Sequence, residues 1–140
     1  MLELTVLSNK NGDKPVSTSV TDVWVGGQAA RVVADGLALA KAATEDTVWG
    51  LFANDREKDV PIGKATVIFP GSTVILRPST LVSGSVVYPY AESFVTYQKG
   101  DELVLDVNGK WTRTVGTSKR FLLVIDLKDS EGVEVFSRNI

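Results

Sequence analysis

The stretch Tyr97 to Val115, YQKGDELVLDVNGKWTRTV, decides the fold class. Gly100-Asp101 is a turn pair, Leu103 to Val107 has a strand pattern, Asn108-Gly109 follows, and a second strand carries Trp111. Asn-Gly between two such runs is the strongest short-range hairpin signal, because a type I′ turn needs positive φ at both central residues. The turn sets the register, and Leu103, Leu105 and Val107 alternate with Val104 and Asp106. The expectation is a two-residue hairpin with Leu103, Leu105 and Val107 turned inward.

After Val115 a polar turn, Gly116 to Lys119, leads to the most continuous apolar run, Arg120 to Leu127. Such a run suits a strand covered on both faces, or one at the middle of a barrel or sandwich. Lys128 to Gly132 is a hairpin loop, and Val133 to Phe136 is the closing strand. Before Tyr97, Val86 to Tyr88 is a brief strand preceded by a Ser/Thr/Gly loop from Ser79 to Ser85. Ile62 to Phe69 and Thr73 to Leu76 are β-rich runs separated by Pro70-Gly71, which suits a type II turn. Val48 to Phe52 is another strand. Asp35-Gly36 is a second hairpin dipeptide, joining Ala29–Ala34 to Leu37–Ala43. The run LALAKAA has good helix propensity, but the turn directly before it and its period of two favour a strand.

Leu2, Leu4 and Val6 alternate with Glu3 and Thr5, and SNKNGDKP, rich in turn formers, follows. Residues 1–22 are therefore either an edge strand with a loop or an arm that docks on a neighbouring subunit. Residues 23–140 form the body, without a linker long enough to separate domains. Roughly ten short strands and no convincing helix predict an all-β single domain, a β-barrel or β-sandwich. The two hairpin dipeptides stand about half the chain apart, and at the same offset Val48–Leu51 falls on Phe121–Val124. Either the chain contains two similar β-meander units packed together, or ordinary meander grammar recurs by coincidence.

Composition narrows the chemistry. A chain of 140 residues with 44% hydrophobic and 23% charged residues has the makings of one folded domain with a real core. A net charge of −2 supplies no basic field to attract nucleic acid or an anionic membrane. With no Cys there is no disulfide, thiolate nucleophile or zinc–sulfur site. With no His there is no Ser–His pair, imidazole base or His metal ligand, which removes most hydrolase mechanisms. The opening MLELTVLSNKNGDKP has no basic region followed by an apolar one, so no signal peptide is expected. The longest apolar run, Phe121 to Ile125, is strand-sized rather than membrane-sized.

Oxygen-only metal sites remain to be weighed. Asn54, Asp55, Glu57 and Asp59 crowd one loop, and Asp126, Asp129, Ser130 and Glu131 another. Neither has the spacing of a twelve-residue calcium loop, so solvated charged tips are the expectation and no metal is assigned. Pro70-Gly71-Ser72-Thr73 lacks the Lys of a phosphate loop. A glycosidase-type carboxylate pair leaves no readable spacing and has no other support. No catalytic residue and no cofactor is assigned. The recognition candidates are aromatic: Trp24, Trp111, Tyr88 and Tyr90, with Trp49 read as core because it sits in an apolar run. Trp111, flanked by Lys110, Thr112 and Arg113, is compatible with either orientation.

The segment with Tyr97, Gly100, Asp101, Leu103, Gly109 and Thr112 resembles a recurring pattern in head proteins of tailed bacteriophages. Asp35-Gly36, Val48-Trp49-Gly50-Leu51, Ile62-Gly63-Lys64 and the run from Val67 to Val74 extend the likeness over residues 26–127. The resemblance implies a capsid decoration, or cement, protein: a small non-enzymatic β-domain, commonly trimeric, made in the host cytoplasm and carried on the virion. Its expected partner is the major capsid protein, whose neighbouring subunits it bridges from outside, with no role for nucleic acid or membrane. No functional residue carries over, because such proteins work through surfaces. The alternative is a carbohydrate-binding or tail- and fibre-associated β-module, motivated by the aromatic residues.

Overall fold

The computed structural model describes residues 11–17, 23–42, 48–56, 63–82, 84–113 and 122–138. Among them the chain is all-β. In order the strands are β1 (Asn11–Pro15), β2 (Ala29–Val33), β3 (Gly36–Leu39), β4 (Val48–Phe52), β5 (Lys64–Ile68) and β6 (Thr73–Leu76). There follow β7 (Thr80–Val82), β8 (Ser85–Val87), β9 (Glu102–Leu105), β10 (Trp111–Thr112), β11 (Leu122–Leu127) and β12 (Val133–Ser137). Short 3-10 turns stand at Phe94–Thr96 and Asp129–Glu131.

Two five-stranded antiparallel sheets carry the fold, with β7 and β8 as a separate hairpin. The first sheet runs β3-β2-β4-β5-β1 and the second β10-β9-β11-β12-β6. These are one topology used twice: a hairpin, then two strands added on its first arm, then the strand that precedes the hairpin at the far edge. The β4 segment Val48–Leu51 and the β11 segment around Leu122–Val124 occupy the same place in the two sheets, which fits the two-unit alternative of the sequence reading.

The first sheet closes into a small barrel. Val16, just after β1, bridges Leu37 of β3, and the Ser17 N–H donates to the Leu37 carbonyl at 2.9 Å. Val16, Trp24, Ala30, Leu37, Leu39, Phe52 and Val67 fill its interior. The outer face of the same strands offers Ala29, Ala40 and Leu51 to Leu103, Leu105, Leu122, Val124, Val133 and Val135 of the second sheet. Strands β2 and β3 are thus covered on both faces. That explains why the first part of the helix-prone LALAKAA is strand: Leu37 and Leu39 line the barrel, while Ala38 and Ala40 are fully buried; the strand ends at Leu39, short of the expected Ala43, which lies outside the described residues. Tertiary burial overrides local propensity. In β4, Ala30 pairs with Gly50 and Arg31 with Val48, so Trp49 is the extra residue of a β-bulge.

Several expectations change. The β9–β10 hairpin exists, with Trp111 opposite Leu105 and Thr112 opposite Val104, but its loop is longer than two residues. The Asp106 carboxylate accepts the N–H of Asn108 at 2.8 Å and of Lys110 at 2.9 Å, while its backbone N–H donates to the Lys110 carbonyl. Asp106 therefore ends the strand by satisfying turn amides, as short acidic side chains do. Val107 is carried out into solvent, at 75% exposure, rather than inward. Asn11–Pro15, read as turn formers, is strand β1 paired with β5 from Asn11–Ile68 to Pro15–Lys64. Residues 1–10 and 18–22, with Leu2, Leu4 and Val6, lie outside the described residues. Pro70-Gly71 is a turn, but it carries the chain from β5 in one sheet to β6 in the other. The Ser79–Ser85 loop is largely hairpin: Thr80 pairs with Val87, Leu81 with Val86 and Val82 with Ser85. Strand β11 is central in its sheet yet not covered on both faces; Leu122 and Val124 are buried while Ile125 is partly in solvent.

Candidate docking surface on the inserted hairpin

The β7–β8 hairpin is inserted between β6 and β9, at a place where the first sheet has no such element between β1 and β2 among the described residues. Because successive strand residues point to opposite faces, Leu81 and its partner Val86 share one side, and Tyr88 continues it. That side faces solvent, with Leu81 67%, Val86 58% and Tyr88 50% exposed. Val82, on the other face, is buried and anchors the hairpin to the body. The usual pattern of polar residues outward is inverted here. An isolated two-stranded hairpin is marginal in water, so this one depends on its anchor and on whatever covers its outer face.

The anchor is built from aromatic residues. The Trp111 N–H donates to the Pro89 carbonyl at 3.0 Å, and Ala91 donates back to the Trp111 carbonyl at 2.8 Å, so the chain leaving β8 lies along β10. Trp111 is fully buried, and its Nε1–H donates to the Gly27 carbonyl of the first sheet's approach at 2.8 Å. Tyr90 packs edge-on against Tyr97, and its hydroxyl donates to the carbonyls of Leu76 and Arg77. Its ring and that of Tyr97 thereby fill the seam between β6 and β10. Burial pushes the Tyr90 hydroxyl pKa up; burial first, and then the Glu92 charge, push that of Tyr97 up as well. The Tyr97 hydroxyl is buried beside the Glu92 carboxylate but makes no hydrogen bond of full geometry.

At the foot of the hairpin a cleft of about 330 Å³ is lined by Pro78, Tyr88, Tyr90, Glu92 and Phe94. Glu92 holds its floor: the carboxylate accepts Thr112 Oγ1–H at 2.9 Å and the Arg113 N–H at 2.7 Å. Arg113 in turn donates to the Thr96 carbonyl at 3.0 Å and stacks over Tyr97, with its guanidinium 5.4 Å from the ring centre.

Of the four aromatic residues singled out from sequence, only Tyr88 presents its ring to solvent. Trp24, Tyr90 and Trp111 are buried. Trp24 stacks on Phe52 inside the first barrel, with centroids 3.8 Å apart, and its Nε1–H donates to the Asn54 carbonyl. Their indole and phenol groups are used within the fold, which is why apolar rings flanked by polar neighbours turned inward. Trp49, read as core, is half-buried, edge-on to Phe69 and capped by the Lys14 ammonium at 5.1 Å. Sequence reading placed Val86 in a brief strand but missed Leu81 and Val86 as surface candidates, because the Ser/Thr/Gly-rich stretch around Leu81 masks the first arm of the hairpin.

The acidic loops are ion-paired tips. Asp55 bonds Arg77 at 2.8 Å and the Gly26 N–H at 2.7 Å; Glu57 and Asp59 lie outside the described residues. Asp126 stands between Lys99 and Lys128, and the Leu127 N–H, then Lys128, hold its carboxyl below the ordinary range. Among the described residues, no three acidic side chains come together as a metal site. Comparison with protein-family models, with curated proteins and with solved structures finds no match to this chain.

Proposed function

We propose that the chain is a non-enzymatic structural protein of a virus particle, a capsid decoration protein, which docks on the outer surface of a phage head through the β7–β8 hairpin. The observation that carries the reading is the outward Leu81–Val86–Tyr88 face on an anchored, inserted hairpin. Such a face is an apolar patch awaiting cover. Burying each of these side chains contributes roughly 1.5–3 kcal/mol, so three together supply a useful contact even after the losses of association. The mechanism is linkage. A ligand that binds only the expanded, assembled shell stabilises it by mass action, and a copy that spans two capsid subunits couples them. The head-protein resemblance of residues 26–127 supplies the partner, the major capsid protein, and a trimer is the assembly it implies.

The test is sedimentation of the purified chain with expanded phage heads. Leu81→Ser with Val86→Ser is expected to weaken association by at least about 100-fold, the equivalent of two buried side chains, with the melting temperature unchanged. Absence of association by the unaltered chain, together with a strictly monomeric mass, overturns the reading.

A further inference from the structure

The cleft at the foot of the hairpin sets a single carboxylate among aromatic rings. Of the residues that line it, Glu92 alone is charged. Tyr88 contributes an exposed ring and Phe94 a half-buried one, with the Phe94 and Tyr90 ring centroids 6.0 Å apart. Glu92 is fixed from within the fold. Its two oxygens each accept one hydrogen bond, from Thr112 Oγ1–H and from the Arg113 N–H. Both donors are neutral, so they hold the carboxylate in place without cancelling its charge, and each oxygen keeps capacity for a further donor. Arg113 turns its guanidinium elsewhere, to the Thr96 carbonyl at 3.0 Å and to Asp101 at 3.8 Å. Among the described residues Glu92 has no ion-pair partner.

A preorganised carboxylate beside ring faces recognises an organic cation. The ring quadrupole attracts a cation within about 6 Å of its centroid, and the carboxylate adds charge-assisted hydrogen bonds. A guanidinium suits the pair better than an ammonium, because a planar fork stacks on a ring while its edge donates to a carboxylate. Tyr88 ties this cleft to the docking surface. It continues the outward side of Leu81 and Val86, and it also lines the cleft. A partner laid over the hairpin therefore lies against the cleft as well.

We propose that the cleft receives an arginine side chain of the capsid subunit on which the hairpin docks, its guanidinium against Tyr88 and its N–H groups on Glu92. The proposal rests on the hairpin being the docking surface, and it adds one charge-specific contact to an otherwise apolar patch.

The experiment has two arms. In the first, NMR follows the amides of the isolated chain during titration with Nα-acetyl-arginine amide, and with its citrulline counterpart, which has similar length and no charge. The arginine compound is expected to shift the Ser93 and Arg113 amides saturably, and the citrulline compound to bind at least about tenfold more weakly. Glu92→Gln is expected to weaken the arginine compound by a similar factor. Tyr88→Leu, which keeps an exposed apolar side chain, weakens it by about two- to fivefold. No saturable shift, or equal affinity for the two compounds, overturns the inference. So does a saturable shift with maltose in place of the arginine compound, which would assign the cleft to carbohydrate. In the second arm, Glu92→Gln is expected to weaken sedimentation with expanded phage heads at least about tenfold. Unchanged sedimentation of Glu92→Gln overturns the arginine contact and leaves the hairpin reading standing. Arginine binding by a chain that ignores phage heads overturns the capsid source together with the proposed function, so the two fail distinguishably.

Discussion

The first sheet and the second share a strand order but solve the problem of their edges differently. In the first, β1 and β3 meet backbone to backbone, and the interior is sealed by Val16, Leu37 and the stacked Trp24–Phe52 pair. In the second, the corresponding strands β6 and β10 do not meet, and the seam is filled by side chains, Tyr90 and Tyr97, reaching over from the segment that follows the inserted hairpin. Inserting β7–β8 between β6 and β9 is what separates the two halves of this design. Among the described residues the closed sheet has no counterpart of the exposed apolar hairpin carried by the open one, in which the outer edge of β6 has no paired strand. The shared strand order supplies the scaffold, and the departure from it exposes the apolar hairpin.

The largest test of the comparison asks whether the two sheets are one cooperative unit. Ala29, Ala40 and Leu51 of the first sheet share a core cluster with Trp111 and Leu103 of the second. Trp111→Ala removes the largest side chain of that cluster and is expected to cost about 3–5 kcal/mol. Because the indole also bonds Gly27 across the interface, the loss should lower the stability of both sheets in a single transition. Separate melting, with the Trp24 environment intact while the second sheet unfolds, would break the idea of a shared core.

A smaller effect separates two hairpin glycines, Gly36 at the start of β3, where it pairs with Val33, and Gly109 in the β9–β10 loop. Gly36 has φ +150°, and a Cβ there would strike the Pro15 carbonyl oxygen and stand 2.9 Å from the Ser17 nitrogen. It is small so that β1 can close the barrel. Gly109 has φ +79°, and a Cβ there would come 2.7 Å from the Ala40 carbonyl oxygen, across the sheet interface. Gly36→Ala and Gly109→Ala are each expected to cost about 1–3 kcal/mol. The exchange pattern distinguishes them: Gly36→Ala should accelerate the Ser17 amide bonded to Leu37, and Gly109→Ala the Ala42 amide bonded to Asp106. Acceleration of the same amides by both would mean that the glycines serve one function rather than two.

These glycines also show what sequence made legible. Asp35-Gly36 and Asn108-Gly109 marked both hairpins, because turn chemistry and strand period are local properties; their offset left two similar units and chance recurrence of meander grammar equally open. The destination of Trp111 was not legible, since an indole between Lys110 and Thr112 is turned inward by an acceptor 84 positions away in sequence, the Gly27 carbonyl. Asp106 misled in the other direction. As an alternating strand residue it fits period two, but its carboxylate captures two turn amides and lengthens the loop. Only the second arm of the inserted hairpin, Val86 to Tyr88, was legible as strand; its first arm and its outward apolar face were not, because Leu81 and Val86 are apolar residues facing water, and no period-based rule looks for those. Which strands share a sheet was beyond reach as well: Pro70-Gly71 announces a turn equally well within one sheet or between two.

The seam between β6 and β10 gives the subtlest test, because it is made of two tyrosines that differ only in what their hydroxyls do. The Tyr90 hydroxyl donates to the Leu76 and Arg77 carbonyls, and that of Tyr97 is buried beside the Glu92 carboxylate with no hydrogen bond of full geometry. Removing a bonded hydroxyl leaves carbonyls unsatisfied, so Tyr90→Phe is expected to cost about 0.5–1.5 kcal/mol. Tyr97→Phe removes a buried hydroxyl that makes no full hydrogen bond and should be neutral or slightly stabilising at neutral pH. Alkaline conditions sharpen the contrast. Burial raises the pKa of both hydroxyls in the folded protein, so the neutral phenols are favoured there. The unfolded chain releases the same protons near the ordinary value of about 10. The contribution of these groups is therefore fully present below that value and is lost as the pH rises above it. Denaturant unfolding across this window should show a shallower alkaline decline for Tyr97→Phe than for the unaltered protein. A substantial loss at neutral pH in Tyr97→Phe would instead mean that its hydroxyl has an acceptor, and the second sheet's seam would then be bonded as firmly as the backbone closure of the first.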